Sequence, residues 1–362
     1  MRTMKMKFLI LLAVVAPLFV ACDPNEDEVE VVVPKISTGA YILNQGKFGA
    51  NNASLSYYNF ADSTVTADIF SAANDRGLGD TGQDIIIYGS NLYIAVYNSS
   101  LIEVIDVKTG FSKRTIPLLN DASAPRSPRS LVAYNGKVYV TLYDGHVAQL
   151  DTTSFTVEKL LSVGANPEGI VAANNLLYVA NSGGMAAKKD STISVIDPAT
   201  FKELRKIKVV INPDKLVADS QGDVYVISKG NYADIPATLQ RISANSEVVT
   251  SISNISPYNM TINNDNIYIY SYEYDANWSV VNKKYIKYNA NSESVENGSF
   301  IPVDAVAKVP FSIDIDPTNG DIYLAESDYK NAGKMYVFTS NGEIKASFNV
   351  GLNAAKTVFV IK

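Results

Sequence analysis

NPEGIVAANNLLYVANSGGMAAKKDSTISVIDPAT, residues 166–200, holds three short runs of strand-forming residues separated by turns. The runs are Asn166–Ile170, Leu177–Asn181 and Ile193–Asp197. Each is bounded by Asn, Gly, Ser or Asp, and none has the length or period of a helix. The second run carries a Tyr followed by an apolar residue. Outward from it, the same Tyr recurs at Tyr41, Tyr93, Tyr139, Tyr178, Tyr225, Tyr268 and Tyr323, at spacings of 39 to 55 residues. Periods of ~40–50 residues are those of four-stranded propeller blades. Two further markers keep step. A Pro opens the first strand at Pro128, Pro167, Pro213, Pro257 and Pro310, where its missing N–H is tolerated. A turn residue closes the third strand at Asn59, Asp106, Asp151, Asp197, Ser243, Asn289 and Thr339.

The first repeat lacks its opening strand and begins at Gly39-Ala40-Tyr41-Ile42-Leu43. The last residues, Ala355–Ile361, have the character of that missing strand. The expected fold is therefore all-β: a seven-bladed β-propeller of four-stranded antiparallel blades, closed by the C-terminal strand joining the first blade. Closure protects the strand edges. One domain, 35–362, is expected, with no linker inside it. The recurring Tyr itself is read as blade packing.

Composition narrows the function. Of 362 residues, 47% are hydrophobic and 19% charged, and the net charge is −6, which argues against nucleic acid. The single Cys excludes an internal disulfide, and the single His excludes a multi-His metal site. Arg2, Lys5 and Lys7 precede an apolar run, Phe8–Val20, that is too short for a stable span. It ends in Leu18-Phe19-Val20-Ala21-Cys22, which resembles the bacterial lipobox, with Phe19 standing where Leu is usual. Residues 1–21 are thus expected to be a lipoprotein signal peptide, with Cys22 lipidated. Residues 22–34, starting Asp23-Pro24-Asn25-Glu26-Asp27-Glu28 after the Cys, are expected to be an acidic solvated tether.

The repeat from Asn166 to Thr200 looks like the YncE-type propeller repeat. The opening Tyr41–Tyr58, YILNQGKFGANNASLSYY, resembles the first blade of Bacteroidota propeller lipoproteins, among them the BtuG surface lipoproteins. The acidic tether resembles the export signal of lipoproteins displayed on the outer face of the outer membrane. The resemblance implies a surface-exposed monomer that captures cobalamin or a related corrinoid. It also implies delivery to a TonB-dependent outer-membrane transporter, with the lipid anchor as the only membrane contact and no cofactor of its own.

In a propeller, the start of each innermost strand and the loop between the second and third strands share one face. The repeat phase therefore names two rings. The inner ring pairs Gln83 with Asp84, Arg129 with Ser130, Glu168 with Gly169 and Asp214 with Lys215. It is completed by Tyr258 and Asn259, Phe311 and Ser312, and Lys356 and Thr357. The wider ring includes Asn44, Gln45, Lys47, Phe48, Tyr97, Tyr143, Asn181, Tyr232, Tyr272, Tyr274, Trp278 and Tyr329. Aromatic faces and amide-complementary groups suit a large, flat, amide-edged ligand. The expected contacts are Arg129, Tyr258, Phe311 and Lys356 at the channel, with Phe48, Tyr97, Tyr143, Asn181, Tyr232, Tyr274, Trp278 and Tyr329 around it. Lys229 and Glu326 are read as solvated charges.

No nucleophile elbow, phosphate loop or dinucleotide fingerprint occurs in the chain. Asp314 and Asp316 precede Pro317-Thr318-Asn319-Gly320 and are read as turn residues. Asp75 and Asp80 offer oxygens for Ca²⁺ but lack EF-hand spacing. The expectation is a binding protein and not an enzyme. The competing readings are a glycan- or protein-binding scaffold or adhesin using the same face and, less favoured, a propeller lyase built around His146.

Overall fold

The middle strands of the repeat are apolar at nearly every position, because both faces of a propeller blade are covered by neighbouring blades. Leu176–Asn181 is buried along its whole length after the first residue. The outermost strand Lys202–Lys208, KELRKIK, is mostly exposed and charged, which blunts a free sheet edge. A computed structural model describes residues 34–184, 186–304 and 308–362. They form seven four-stranded antiparallel sheets. In the fourth, Pro167–Ala173, Leu176–Asn181, Thr192–Asp197 and Lys202–Lys208 succeed one another from channel to rim.

The C-terminal strand Ala354–Ile361 is the innermost strand of the first blade. It pairs antiparallel with Ser37–Asn44, Tyr41 lying opposite Val358. The ring is closed as expected, and all the described strands lie within residues 35–362. One six-residue helix, Ile69–Asn74, interrupts the link from the first blade to the second. It is capped by the Asp68 side chain, which accepts from the Ser71 N–H.

Seven buried apolar clusters occupy the seven seams between adjacent blades. Strand alternation distributes side chains between them. Leu177 and Val179 pack toward the third blade, whereas Tyr178 and Ala180 pack toward the fifth. Every recurring Tyr enters the seam with the blade that follows: Tyr41 meets the second blade, and Tyr323 meets the first. The repeat marker is thus the plug of each seam, as the sequence predicts.

Of the two Ca²⁺ candidates, Asp80 has both carboxylate oxygens engaged. Asp80 Oδ1 accepts from the Gly49 N–H and the Thr81 hydroxyl, and Oδ2 accepts from Asn98. Asp75 is the left-handed C-cap of the short helix. Among the described residues, no group of three or more His, Cys, Asp or Glu is placed to hold a metal. No described helix is long and apolar enough to cross a membrane. Cys22, the segment expected to be a signal peptide and nearly all of the expected tether lie outside the described residues.

Candidate functional site

Register fixes which residues share a face. Pro128 lies opposite Leu142, Pro167 opposite Asn181, Pro213 opposite Ser228 and Val309 opposite Ser327. Each innermost strand therefore starts where the second strand ends. The residues after the recurring Pro and the loops after the second strands gather at one end of the ring.

At that end the central channel opens into a cavity of about 390 Å³. Its wall carries Gln83, Asp84, Arg129, Glu168, Asp214, Lys215, Lys229, Tyr258, Asn259, Phe311 and Lys356. Most of the charges are paired. Arg129 Nε donates to Glu168 Oε2 at 2.6 Å, and its Nη1 donates to Gln83 Oε1 at 3.0 Å. Lys356 Nζ donates to Asp84 Oδ1 at 2.6 Å, and Lys229 Nζ stands 3.5 Å from Asp214 Oδ2. Burial pushes the Glu168 carboxyl above its ordinary range despite the Arg129 charge beside it. Deeper in the channel, burial pushes Asp314 up to about 7, opposed by Lys215. Burial also pulls Lys215 down, helped by the like charge of Lys356.

A second compartment of about 400 Å³ shares Gln45, Gln83 and Arg129 with the first. Its apolar lining is Phe48, Tyr97, Tyr143 and Tyr329. The Arg129 guanidinium carbon lies 5.1 Å from the Tyr97 ring centre and 5.2 Å from that of Tyr143, so the cation is held by both rings. On the other side an aromatic chain climbs from channel to solvent. Tyr258 and Tyr272 are 4.4 Å apart between ring centres, Tyr272 and Tyr274 5.4 Å, and Tyr274 and Trp278 5.9 Å. Phe311 and Tyr329 form a further pair at 5.7 Å. The outermost rings are bare: Trp278 is 81% exposed, Tyr232 76% and Phe48 67%. Tyr232, Trp278 and Tyr329 all have left-handed backbone, with φ of 61°, 62° and 60°. A bulky residue held there carries strain, which concentrates at functional loops.

A family model described as a domain of unknown function, DUF5074, matches residues 38–359. The chain belongs to the DUF5074 family. No curated protein matches it. Among solved structures, the DUF5074 propeller resembles a hydrazine synthase chain of Kuenenia stuttgartiensis at 15% identity and TM-score 0.61, covering 75% of this chain and 87% of that one. It also resembles a protein from Lactobacillus plantarum at 10% identity and TM-score 0.57, covering 90% of this chain and all of the other (100%). The computationally designed Ika8 protein matches at 10% identity and TM-score 0.53, with coverages of 75% and 88%. Such distant likenesses establish the fold alone.

The DUF5074 propeller brings most of the residues named from sequence to this one end. Arg129, Tyr258, Phe311 and Lys356 line the channel cavity, and Phe48, Tyr97, Tyr143 and Tyr329 the adjoining compartment. Tyr274 and Trp278 extend the aromatic chain, while Tyr232 stands on an exposed loop. Asn181 is a correction. It is fully buried, donates to Thr192 Oγ1 at 3.0 Å and Ser194 Oγ at 2.9 Å, and accepts from the Gly164 N–H at 3.0 Å. It pins the linker between blades and has no free group for a ligand. Gly164 is required there, since a Cβ would sit 2.3 Å from Asn181 Cγ. Asn44 is buried in the same way under Gly351, donating to Ser54 and Ser56.

Three charges also differ from expectation. Asp316 does hold its turn, Oδ1 accepting from the Thr318 N–H at 2.9 Å, but Asp314 faces the channel, where Oδ2 accepts from the Thr357 N–H at 2.7 Å. Lys229 is not simply solvated: its ammonium stands 4.5 Å from the centre of the Tyr258 ring and donates to the Tyr258 carbonyl. Glu326 is buried and accepts from the Lys308 N–H. His146 sits at the start of a third strand, 3.1 Å from Asp144, and lines neither compartment. The channel role of Asp314 was missed because the proline phase marks where an innermost strand starts, whereas Asp314 lies near its end.

Proposed function

We propose that this propeller is a capture protein whose loop face binds a corrinoid such as cobalamin and presents it to a TonB-dependent outer-membrane transporter. One observation carries the reading: a tier of exposed and half-exposed aromatic rings surrounds a polar channel mouth on a single face. A corrin offers apolar faces for the rings and peripheral amides for Gln45, Gln83, Asn259 and the lysines. Rings held on strained, short loops form a platform with little left to order on binding, which favours affinity. The first-blade resemblance supports the ligand class. The lipobox at Cys22 and the acidic stretch after it support an anchored protein at the outer membrane, displayed to the exterior.

Calorimetric titration of residues 35–362 with cyanocobalamin tests the reading. Saturable one-to-one binding is expected, lost in large part when Tyr258, Tyr274 and Trp278 are changed together to Ala. Absence of heat and of any thermal shift at saturating vitamin would sink the corrinoid assignment. The aromatic face would then be tested on a glycan array, where retention would favour the scaffold reading.

A further inference from the structure

The channel cavity is lined by four cations and three carboxylates, and a fourth carboxylate, Asp314, lies deeper in the channel. Three of the cations are matched: Lys356 by Asp84, Arg129 by Glu168 and Lys229 by Asp214. Lys215 is the exception. It lines the cavity two residues after Pro213, yet among the described residues its ammonium makes no hydrogen bond or ion pair. Three carboxylates act on it electrostatically, Asp314 first and then Asp84 and Asp214, but none lies within ion-pair distance: Asp314 has Oδ2 committed to the Thr357 N–H, Asp84 is paired with Lys356 and Asp214 with Lys229. Burial also keeps Asp314 partly protonated near neutral pH. An ammonium drawn away from bulk water with no acceptor is unfavourable unless something else supplies one.

The groups beside Lys215 suit an anion. Gln83 uses Oε1 to accept from Arg129, which leaves its amide nitrogen for donation, and Ser130 and Asn259 also line the space. The remaining carboxylates are already neutralised by their partners. A volume of about 390 Å³ takes a compact group, while a broad planar body is left to the aromatic rim.

We propose that the channel cavity is an anion subsite, in which Lys215 is the counter-ion for a phosphoryl or carboxylate group projecting from the ligand held on the rim. The ligand is thus bipartite: a flat body on the aromatics and an anionic arm in the channel. This rests on the loop face being the ligand site, but not on the ligand being a corrinoid.

Titration of residues 35–362 with sodium sulfate, and separately with sodium acetate, tests the subsite at constant ionic strength set by chloride. Sulfate has no proton to exchange near neutrality. Saturable binding of either anion is expected, weakened tenfold or more in Lys215→Met and largely retained in Lys215→Arg. Preference for sulfate assigns a phosphoryl-like arm, and preference for acetate a carboxylate. Failure of both anions to bind the wild type overturns the proposal, as does equal binding by wild type and Lys215→Met. Should Lys215→Met not fold, Lys215→Gln replaces it, and the wild-type arm still decides. Cyanocobalamin is titrated in parallel. Anion binding without vitamin binding removes the corrinoid and keeps the subsite. Vitamin binding that is indifferent to Lys215→Met removes the subsite and keeps the corrinoid.

Discussion

Asn181 and Asp314 show how a residue's role follows from what it touches. Asn181 spends three hydrogen bonds inside a buried seam. Asn181→Ala would strand the Gly164 N–H and the Ser194 hydroxyl, while the Thr192 hydroxyl keeps Asp190, so a loss of about 2 kcal/mol is expected in denaturant unfolding. Ligand affinity of the folded variant should not change; a fall in affinity at full stability would restore Asn181 as a contact. Asp314 predicts a pH effect. Its carboxyl has an ordinary value of 3.8 and is pushed up to about 7 in the fold. Between those values the folded state keeps a proton that the unfolded chain releases, so rising pH costs stability. Below 3.8 both states are protonated, and above 7 the cost is constant. Asp314→Asn keeps an acceptor for Thr357 and removes the cost. Its stability should match wild type near pH 4 and exceed it at pH 8 by on the order of 2 kcal/mol, allowing for water in the channel. An advantage that does not vary with pH would contradict the buried-carboxyl account.

Among the elements, the loops after the second strands carry the aromatic tier, and their backbone argues that they are kept for something other than stability. Tyr232 is 76% exposed at φ 61° and Trp278 81% exposed at φ 62°. A non-glycine residue there costs ~1 kcal/mol or more, and an exposed ring recovers little of it by packing. Tyr232→Gly is therefore expected to unfold at the same temperature as wild type or slightly above it, while binding cyanocobalamin several-fold more weakly. A clear loss of stability would mean that the ring packs in the fold, and unchanged affinity would remove Tyr232 from the site. The strands were legible for a different reason: continuous apolar runs such as Leu177–Ala180 feed two seams at once. The same phase misassigned Asn181, because it is the last residue of its strand, Leu176–Asn181, rather than the first of the loop. One register position separates a buried pin from an exposed contact.

For the whole molecule, closure is the decisive feature. The strand Ala354–Ile361 completes the first blade, and Ala354 fills the seam between the seventh and first blades. Deleting residues 354–362 would uncover Ser37–Asn44 and leave the ring open. A chain ending at residue 353 is expected to lose cooperative unfolding or to aggregate, as judged by calorimetry and light scattering. A truncated chain that melts like wild type would show that the clasp adds little.

The sequence by itself determined the blade number, the phase of the strands, the closing strand and the end of the ring where the loops gather. Those features are periodic: a Tyr in every seam and a turn after every third strand repeat because each blade solves the same packing problem. Only the tertiary structure decided which of the gathered residues stay free. Asn181 and Glu326 are drawn inside, Asp314 turns to the channel, and Arg129, Lys229 and Lys356 are neutralised by partners. The partner of Lys229, Asp214, comes from its own blade, but that of Arg129, Glu168, comes from the next blade and that of Lys356, Asp84, from the far end of the chain. The pairing that leaves Lys215 alone is set by distances across the channel, which a repeat read along one strand at a time does not contain.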